Sequence, residues 1–376
     1  MDTTALLLPL APAAFSRVPL LSAFGPDSWP RVLFTLVLAL AAAWLCEWLK
    51  TPIPWMIGPL VATSLVSMLG ARTESWTPLR NAGQWVIGVA LGLYFTPEVG
   101  ALVASLWWAI ALGIAWALLL GLAFGACLTR WHAGHLASLS PAQLRSTTYF
   151  AGAIGGASEM TLIAERQGAR TDLVAASHSL RVLMVTLTVP FAMQFWGLSG
   201  LDALPPAIRD VQAAGLLGLG ALTLAGSLLM QRLGRANPWF MGALVTTMVV
   251  TLCGVTLSAI PQSWSNAAQL VIGVSLGVRF TPAFVHTAPR WLASVAVATL
   301  VMMVLCAGFA WVLAKLTGLH PATLVLGTAP GGIAEMAITA KVLQLGVPVV
   351  TAFQVCRLVA VLILAEPVYR WKYAGQ

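Results

Sequence analysis

Two glutamates stand out because nearly everything around them is apolar. They occur in matching blocks, Gly155-Gly156-Ala157-Ser158-Glu159-Met160 and Gly331-Gly332-Ile333-Ala334-Glu335-Met336. A charged side chain at membrane depth costs about 2.5–3.5 kcal/mol or more, so it is kept for a reason such as carrying a proton or holding a cation. Each glutamate follows a helix-breaking cluster: Gly152-Ala153-Ile154-Gly155-Gly156 in one block and Pro330-Gly331-Gly332 in the other. This pattern predicts a helix that stops and restarts just before the glutamate. The restarting end would expose free N–H groups and the positive end of the helix dipole. Gly155, Gly156, Ser158, Glu159, Pro330, Gly331, Gly332 and Glu335 are therefore candidate binding residues. The plainer alternative is that the glycines allow close packing and each glutamate caps a buried terminus.

An arginine follows each glutamate by 22 residues, Arg181 after Glu159 and Arg357 after Glu335, again inside apolar runs. A buried guanidinium needs a carboxylate, a helix C-terminus or an anionic ligand. Pairing with the glutamates and direct ligand binding both remain open. One turn earlier stand His178 in one copy and Gln354 in the other. Histidine can titrate near neutral pH, although a lone buried histidine is more often a fixed hydrogen-bonding group. His132-Ala133-Gly134-His135 is a weak metal signal without a third ligand nearby. The five cysteines show no CxxC spacing and read as small packing residues. The five histidines are scattered and no second acidic cluster accompanies the glutamates, so neither an enzyme, a metal nor a cofactor is expected.

The elements that must position these groups follow from composition. Hydrophobic residues make up 59% of the 376 and charged residues 9%, with a mean hydropathy of +0.88. A soluble domain carries about 25% charged residues, so this chain could not clothe a water-facing surface. Apolar stretches of spanning length recur, such as 32–49, 102–128, 211–228 and 291–313, each near the roughly 20 residues a spanning helix needs. The expected fold is an all-α integral membrane protein. The net charge of +8 comes from single or paired basic residues between apolar segments, which is a topology signal rather than a nucleic-acid footprint. Many of the sixteen tryptophans, including Trp29, Trp131, Trp291 and Trp371, fall at segment ends as interfacial anchors would. The N-terminus lacks the early basic residues of a cleavable signal, and residues 1–30 read as a poorly ordered arm.

The chain is also duplicated. Pro54-Trp55-Met56-Ile57-Gly58 matches Pro238-Trp239-Phe240-Met241-Gly242, and the stretch from Gln84 to Gly92 matches that from Gln269 to Gly277. With the glutamate blocks, this defines repeat 1 over 31–200, a linker over 201–210 and repeat 2 over 211–376. Each repeat shows six apolar segments, in the first half near 32–49, 52–71, 82–97, 101–128, 147–165 and 172–197. If all twelve cross, basic residues divide ten inside and eight outside. If the glycine-rich fifth segment of each half folds back, the division becomes fourteen and four, the bias expected of a cytoplasmic side. About ten transmembrane helices, both termini cytoplasmic, and two inverted repeats with broken or re-entrant glycine-rich segments follow. The Gly88-xxx-Gly92 and Gly273-xxx-Gly277 pairs predict close helix crossings. Pro54, Gly58 and Pro59, with Pro238 and Gly242, are expected to break the second helix of each half.

The duplicated GGxxEM block with its downstream arginine resembles the AbrB-duplication membrane family, whose members carry labels such as ammonia monooxygenase or AbrB-type regulator. That family is distinct from the small soluble AbrB DNA-binding proteins. The resemblance spans roughly 35–372 and implies a polytopic protein of the bacterial inner membrane. It also looks related to inverted-repeat secondary transporters. Three functions compete. A secondary transporter would account for the inverted halves, the broken helices and the paired intramembrane Glu and Arg. A membrane protein regulating gene expression would need a cytoplasmic reader, for which no soluble domain is present. An oxygenase would need several metal ligands in one place, and the histidines are scattered. The expected partners are the lipid bilayer, a small solute, H+ or Na+, and a second copy in a homodimer, with no nucleic acid. The two arginines hint that the solute is an anion.

Overall fold

The computed structural model describes residues 28–134, 139–200, 210–255, 257–282, 284 and 289–373. Most of the expected N-terminal arm and of the 201–210 linker lies outside them, as does His135. The first half contains α1 (Ser28–Trp48), α2 (Pro54–Met68), α3 (Thr77–Gly92), α4 (Pro97–Ser105), α5 (Trp107–His132), α6 (Pro141–Gly152), α7 (Ala157–Arg166) and α8 (Thr171–Phe195). The second contains α9 (Ala213–Arg232), α10 (Pro238–Leu252), α11 (Gln262–Gly277), α12 (Pro289–Thr317), α13 (Pro321–Thr328), α14 (Ile333–Leu343) and α15 (Val347–Tyr373). Among the described residues there is no strand.

Six helices, α1, α5, α8, α9, α12 and α15, are long and apolar enough to span a bilayer. A seventh is gained if α3 and α4, bent by 87° at their junction, count as one span. Large side chains such as Trp44, Trp48, Leu217 and Val304 face outward, as lipid-facing positions do. With its all-helical backbone, this is an all-α membrane protein.

Proline starts several helices, where its missing N–H costs nothing. It does so at Pro54 and Pro238, so α2 and α10 begin at these prolines and run unbroken to Met68 and Leu252. The expected break in the second helix of each half is therefore absent. The residues before the prolines, Ile53 and Asn237, instead take left-handed conformations that turn the chain into the helix.

Lipid gives helices no hydrophobic reason to associate, so small residues that admit close backbone approach carry the packing. A Cβ on Gly88 would stand 2.5 Å from the Phe240 carbonyl oxygen, and one on Gly92 would strike Thr247. The equivalent Gly273 and Gly277 meet Met56 and Thr63 of α2 in the same way. One contact is thus made twice with the halves exchanged: α3 lies along α10, and α11 along α2.

The order of these contacts gives direction. Residues 88 and 92 advance past 240 and 247, so α3 and α10 run parallel. Within the first half, Gly58 packs on Ala42 beside the short α1–α2 turn, so α2 runs back along α1. The loop after α2 is held at the start of α1, where Glu74 N–H donates to Thr35 Oγ1 (3.1 Å) and Trp29 packs on Trp76 (5.4 Å). Hence α3 starts where α2 ends and runs opposite to it. It follows that the equivalent helices α2 and α10 point in opposite directions.

Candidate functional site

Both glycine-rich segments form helical hairpins. α6 descends against α5, with Thr148 Oγ1 2.7 Å from Thr129 Oγ1 and Gly152 packed on Gly121 and Gly125. The chain breaks over 153–156 and α7 carries it back. Arg170 N–H, at the start of α8, donates to Thr147 Oγ1 in α6 (2.9 Å), on the side from which α6 entered. In the second half the break covers 329–332, and Gly346, after α14, returns to pack on Thr323 in the first turn of α13. Each hairpin therefore enters and leaves on one side.

Each carboxylate lies at a hairpin tip, as the sequence predicts. Glu159 and Glu335 occupy the first turns of α7 and α14, whose N-caps are Gly156 and Gly332. A Cβ on either glycine would collide with the following glutamate's carboxylate, so both side chains fold back over their own helix starts. There the carboxylates face free N–H groups and a positive dipole end. Their exposure differs: Glu335 retains 7% of its surface, whereas Glu159 is half-buried and Ser158 exposed.

The two arginines meet broken helix ends rather than carboxylates. Arg181 donates to the carbonyls of Ala153 (3.0 Å) and Ala151 (3.4 Å). Arg357 donates to Ala329 (2.6 Å) and Gly331 (3.0 Å). These oxygens lost their helical partners where α6 and α13 stop, and buried carbonyls need substitutes. His178 and Gln354 complete equivalent clamps. His178 bonds Phe150 O (2.9 Å) and Arg181 (2.8 Å). Gln354 donates to Leu326 O (2.7 Å) and accepts from Arg357 (2.6 Å). All four side chains are essentially buried, at 0–5% exposure. Of the two guanidiniums' donors, each Nε alone is buried without a partner.

Ion pairs among the described residues are Arg170–Asp172 (2.6 Å) and Arg370–Glu366 (2.5 Å). Neither glutamate of the tips takes part, so the helix-terminus reading of Arg181 and Arg357 holds and the Glu–Arg pairing does not form. Pro330 lies buried in the second break, where it cannot supply the helical N–H that would bridge it. Gly155 and Gly331 pack on Met160 and Met336, and Val185 of α8 reaches Gly331 while Leu358 of α15 reaches Gly156. Each tip is thus covered by the last helix of the other half.

A residue that motif reading overlooked lies beside the tips. Arg279, just after α11, lines a cavity of about 410 Å3 with Ala157, Ser158, Thr161, Ser179 and Phe284. It is within electrostatic reach of both Glu159 and Glu335, so the two tips converge on one region. Its repeat equivalent is Tyr94, which is why no duplicated motif marked it. Among the described residues, no three His, Cys, Asp or Glu side chains gather as a metal-binding group. His132 bonds Ser294 Oγ (2.7 Å) and packs on Trp291.

Opposed repeats with paired broken hairpins define a duplicated, all-α membrane protein whose polar groups gather at the hairpin tips. Residues 55–373 match the family described as Transition state regulatory protein AbrB, and the chain belongs to that family. It is 25% identical over 362 residues to "Uncharacterized protein YhjN" of Bacillus subtilis strain 168, covering 90% of this chain and 92% of that protein. It is 24% identical over 328 residues to "Putative regulator AbrB" of Escherichia coli K12, covering 85% and 90%.

Proposed function

We propose that the protein is a secondary transporter that moves a small solute across the bacterial inner membrane, coupled to a proton or sodium gradient. The observation that carries this reading is the pair of opposed hairpins whose broken tips converge with one carboxylate each. Irregular backbone at membrane depth is tolerated inside protein or beside a water-filled cavity, and discontinuous helices around a shared central site are a recurring transporter architecture. In this reading α1, α2, α3, α5 and α8 cross in the first half, and α9, α10, α11, α12 and α15 in the second. Both termini are then cytoplasmic. Glu159 and Glu335 are the candidate coupling groups, each held by a rigid tip that Arg181 and Arg357 keep in shape.

A regulatory role is the second reading, favoured by the name of the Escherichia coli relative. As a membrane protein it would act on expression indirectly, through what it transports or senses.

The test is uptake by proteoliposomes of the purified protein across a panel of small solutes, with and without an imposed pH or sodium gradient. Gradient-dependent accumulation of one solute class, lost in Glu159→Gln and Glu335→Gln, is expected. Gradient-independent leakage, or uptake unchanged in both variants, would sink the proposal.

A further inference from the structure

Arg181 and Arg357 spend their terminal nitrogens on backbone carbonyls and on His178 and Gln354, so a positive group facing a cavity must be sought elsewhere. Arg279 has the required environment. It makes no side-chain hydrogen bond or ion pair with any described residue, although it stands against a cavity at the end of a packed helix. Of the other charged group on that cavity, Asp172, both oxygens are engaged by Arg170 at 2.6 and 2.8 Å. The local arrangement therefore holds one direct ion pair and one guanidinium that no described carboxylate contacts directly, although Glu159, Glu335 and Arg80 lie within its electrostatic reach.

The rest of the lining sets the ligand's character. Ser158, Thr161 and Ser179 offer hydroxyls, and Ala157 begins α7, whose first N–H groups have no helical acceptors. Ala175, Ala176 and Phe284 form an apolar wall. Ligand sites of roughly 300–1,000 Å3 with few polar groups on apolar walls are the usual pattern, and about 410 Å3 lies at the small end. A planar guanidinium matches a carboxylate's two oxygens.

Building on the transporter reading, we propose that this cavity binds a small organic monoanion, a carboxylate with a short apolar body, and that Arg279 is its charge-binding residue. The Arg279 guanidinium takes the anionic group, the hydroxyls of Ser158, Thr161 and Ser179 orient it, and the Ala175–Ala176–Phe284 wall receives the body. The position belongs to one repeat only, so the cavity recognises charge on one side of the pseudo-symmetric pair.

The experiment measures binding separately from transport. Thermal stabilisation of the full chain in detergent is followed at constant ionic strength with acetate, propionate, butyrate, succinate, sulfate and phosphate, with choline and glucose as controls. The same ligands are then tested for uptake in proteoliposomes. Saturable stabilisation by the monocarboxylates, weakened on the order of tenfold or more in Arg279→Gln and partly kept in Arg279→Lys, is expected. Should Arg279→Gln not fold, Ser158→Ala with Thr161→Ala is expected to weaken the same ligands severalfold. Stabilisation by choline or glucose alone, or carboxylate binding indifferent to all these variants, overturns the proposal. Nanodiscs containing phosphatidylglycerol or phosphatidylcholine test a lipid phosphate as the source of the anion. If Arg279 changes only the phosphatidylglycerol response, the solute assignment is overturned. Carboxylate binding without uptake would sink the transporter reading and leave the site standing, whereas gradient-driven uptake of a cation or neutral solute would do the reverse.

Discussion

The two hairpins share a clamp but not a setting. Around the breaks, Arg181 with His178 and Arg357 with Gln354 reach matching carbonyls, Phe150 with Leu326 and Ala153 with Ala329. Beyond the tips the likeness ends. Glu159 is half-buried, with Ser158 beside it lining the Arg279 cavity, while Glu335 is buried. Duplication thus keeps the parts that hold a broken helix open, because lost hydrogen bonds must be replaced in both copies. Differences fall on surrounding residues such as Arg279 and its equivalent Tyr94.

The largest expected effect breaks the comparison at the carboxylates. Glu159→Gln and Glu335→Gln each preserve volume and remove the titratable charge, and both are expected to reduce gradient-driven uptake to background. They should differ in stability. Removing a buried charge without an ion pair is expected to leave Glu335→Gln as stable as wild type or more so, with Glu159→Gln unchanged. Thermal unfolding in detergent measures this, and equal stability losses in both would contradict the difference in burial.

Next come the clamps. Arg357→Ala strands the carbonyl of Gly331, leaves that of Ala329 with Gln354 alone (3.2 Å) and removes the donor to Gln354 Oε1, and its bonds are short. Leaving buried carbonyls unsatisfied costs about 1–3 kcal/mol, which should show as a fall in melting temperature. Arg181→Ala, whose bonds to Ala151 and Ala153 are longer, should lie at the lower end. The reverse order would mean that the first hairpin, not the second, depends more on its clamp.

The crossing glycines sharpen the symmetric side of the comparison. Gly88→Ala and Gly273→Ala each push a methyl to 2.5 Å from a backbone oxygen of the other half. Overpacking of this kind costs about 1–3 kcal/mol, and the two losses should agree closely. A harmless Gly273→Ala beside a damaging Gly88→Ala would show that the interlocking contacts are not equivalent.

Much of this was legible in the sequence because duplication writes each structural need twice. The breaks before Glu159 and Glu335 and the packing glycines follow from repeated residues with a known physical cost, and the fold-back of the fifth segment follows from the division of basic residues. Two things were not legible. The partners of Arg181 and Arg357 were not, because a guanidinium serves a carboxylate, a ligand or a carbonyl equally well on paper. Arg279 was not, because nothing in repeat 1 echoes it and it reads as one more topological charge. Pro54 and Pro238 misled for a local reason: each begins its helix where Ile53 or Asn237 turns the chain, and Pro59, inside α2, is carried without a break.

The smallest effect is expected where the two clamps differ in chemistry but not in geometry. At His178, Nε2 faces the Phe150 carbonyl and Nδ1 faces an Arg181 N–H donor. A carbonyl can only accept, so Nε2 carries the proton and Nδ1 is the acceptor, which is the neutral tautomer. Protonating Nδ1 would set two donors against each other beside a fixed positive charge, so the ring has no room to shuttle protons. Gln354 already does the same work with an amide, its nitrogen on Leu326 O and its oxygen on Arg357. His178→Gln should therefore rebuild the second clamp within the first, with a stability change under about 1 kcal/mol, on the order of a single neutral hydrogen bond. Uptake and its pH dependence should stay near wild type. His178→Leu, which supplies neither donor nor acceptor, should lose about 1–3 kcal/mol by leaving buried groups unsatisfied. If His178→Gln instead abolishes uptake while the protein remains folded, the histidine carries a proton after all. The two clamps would then be alike only in shape.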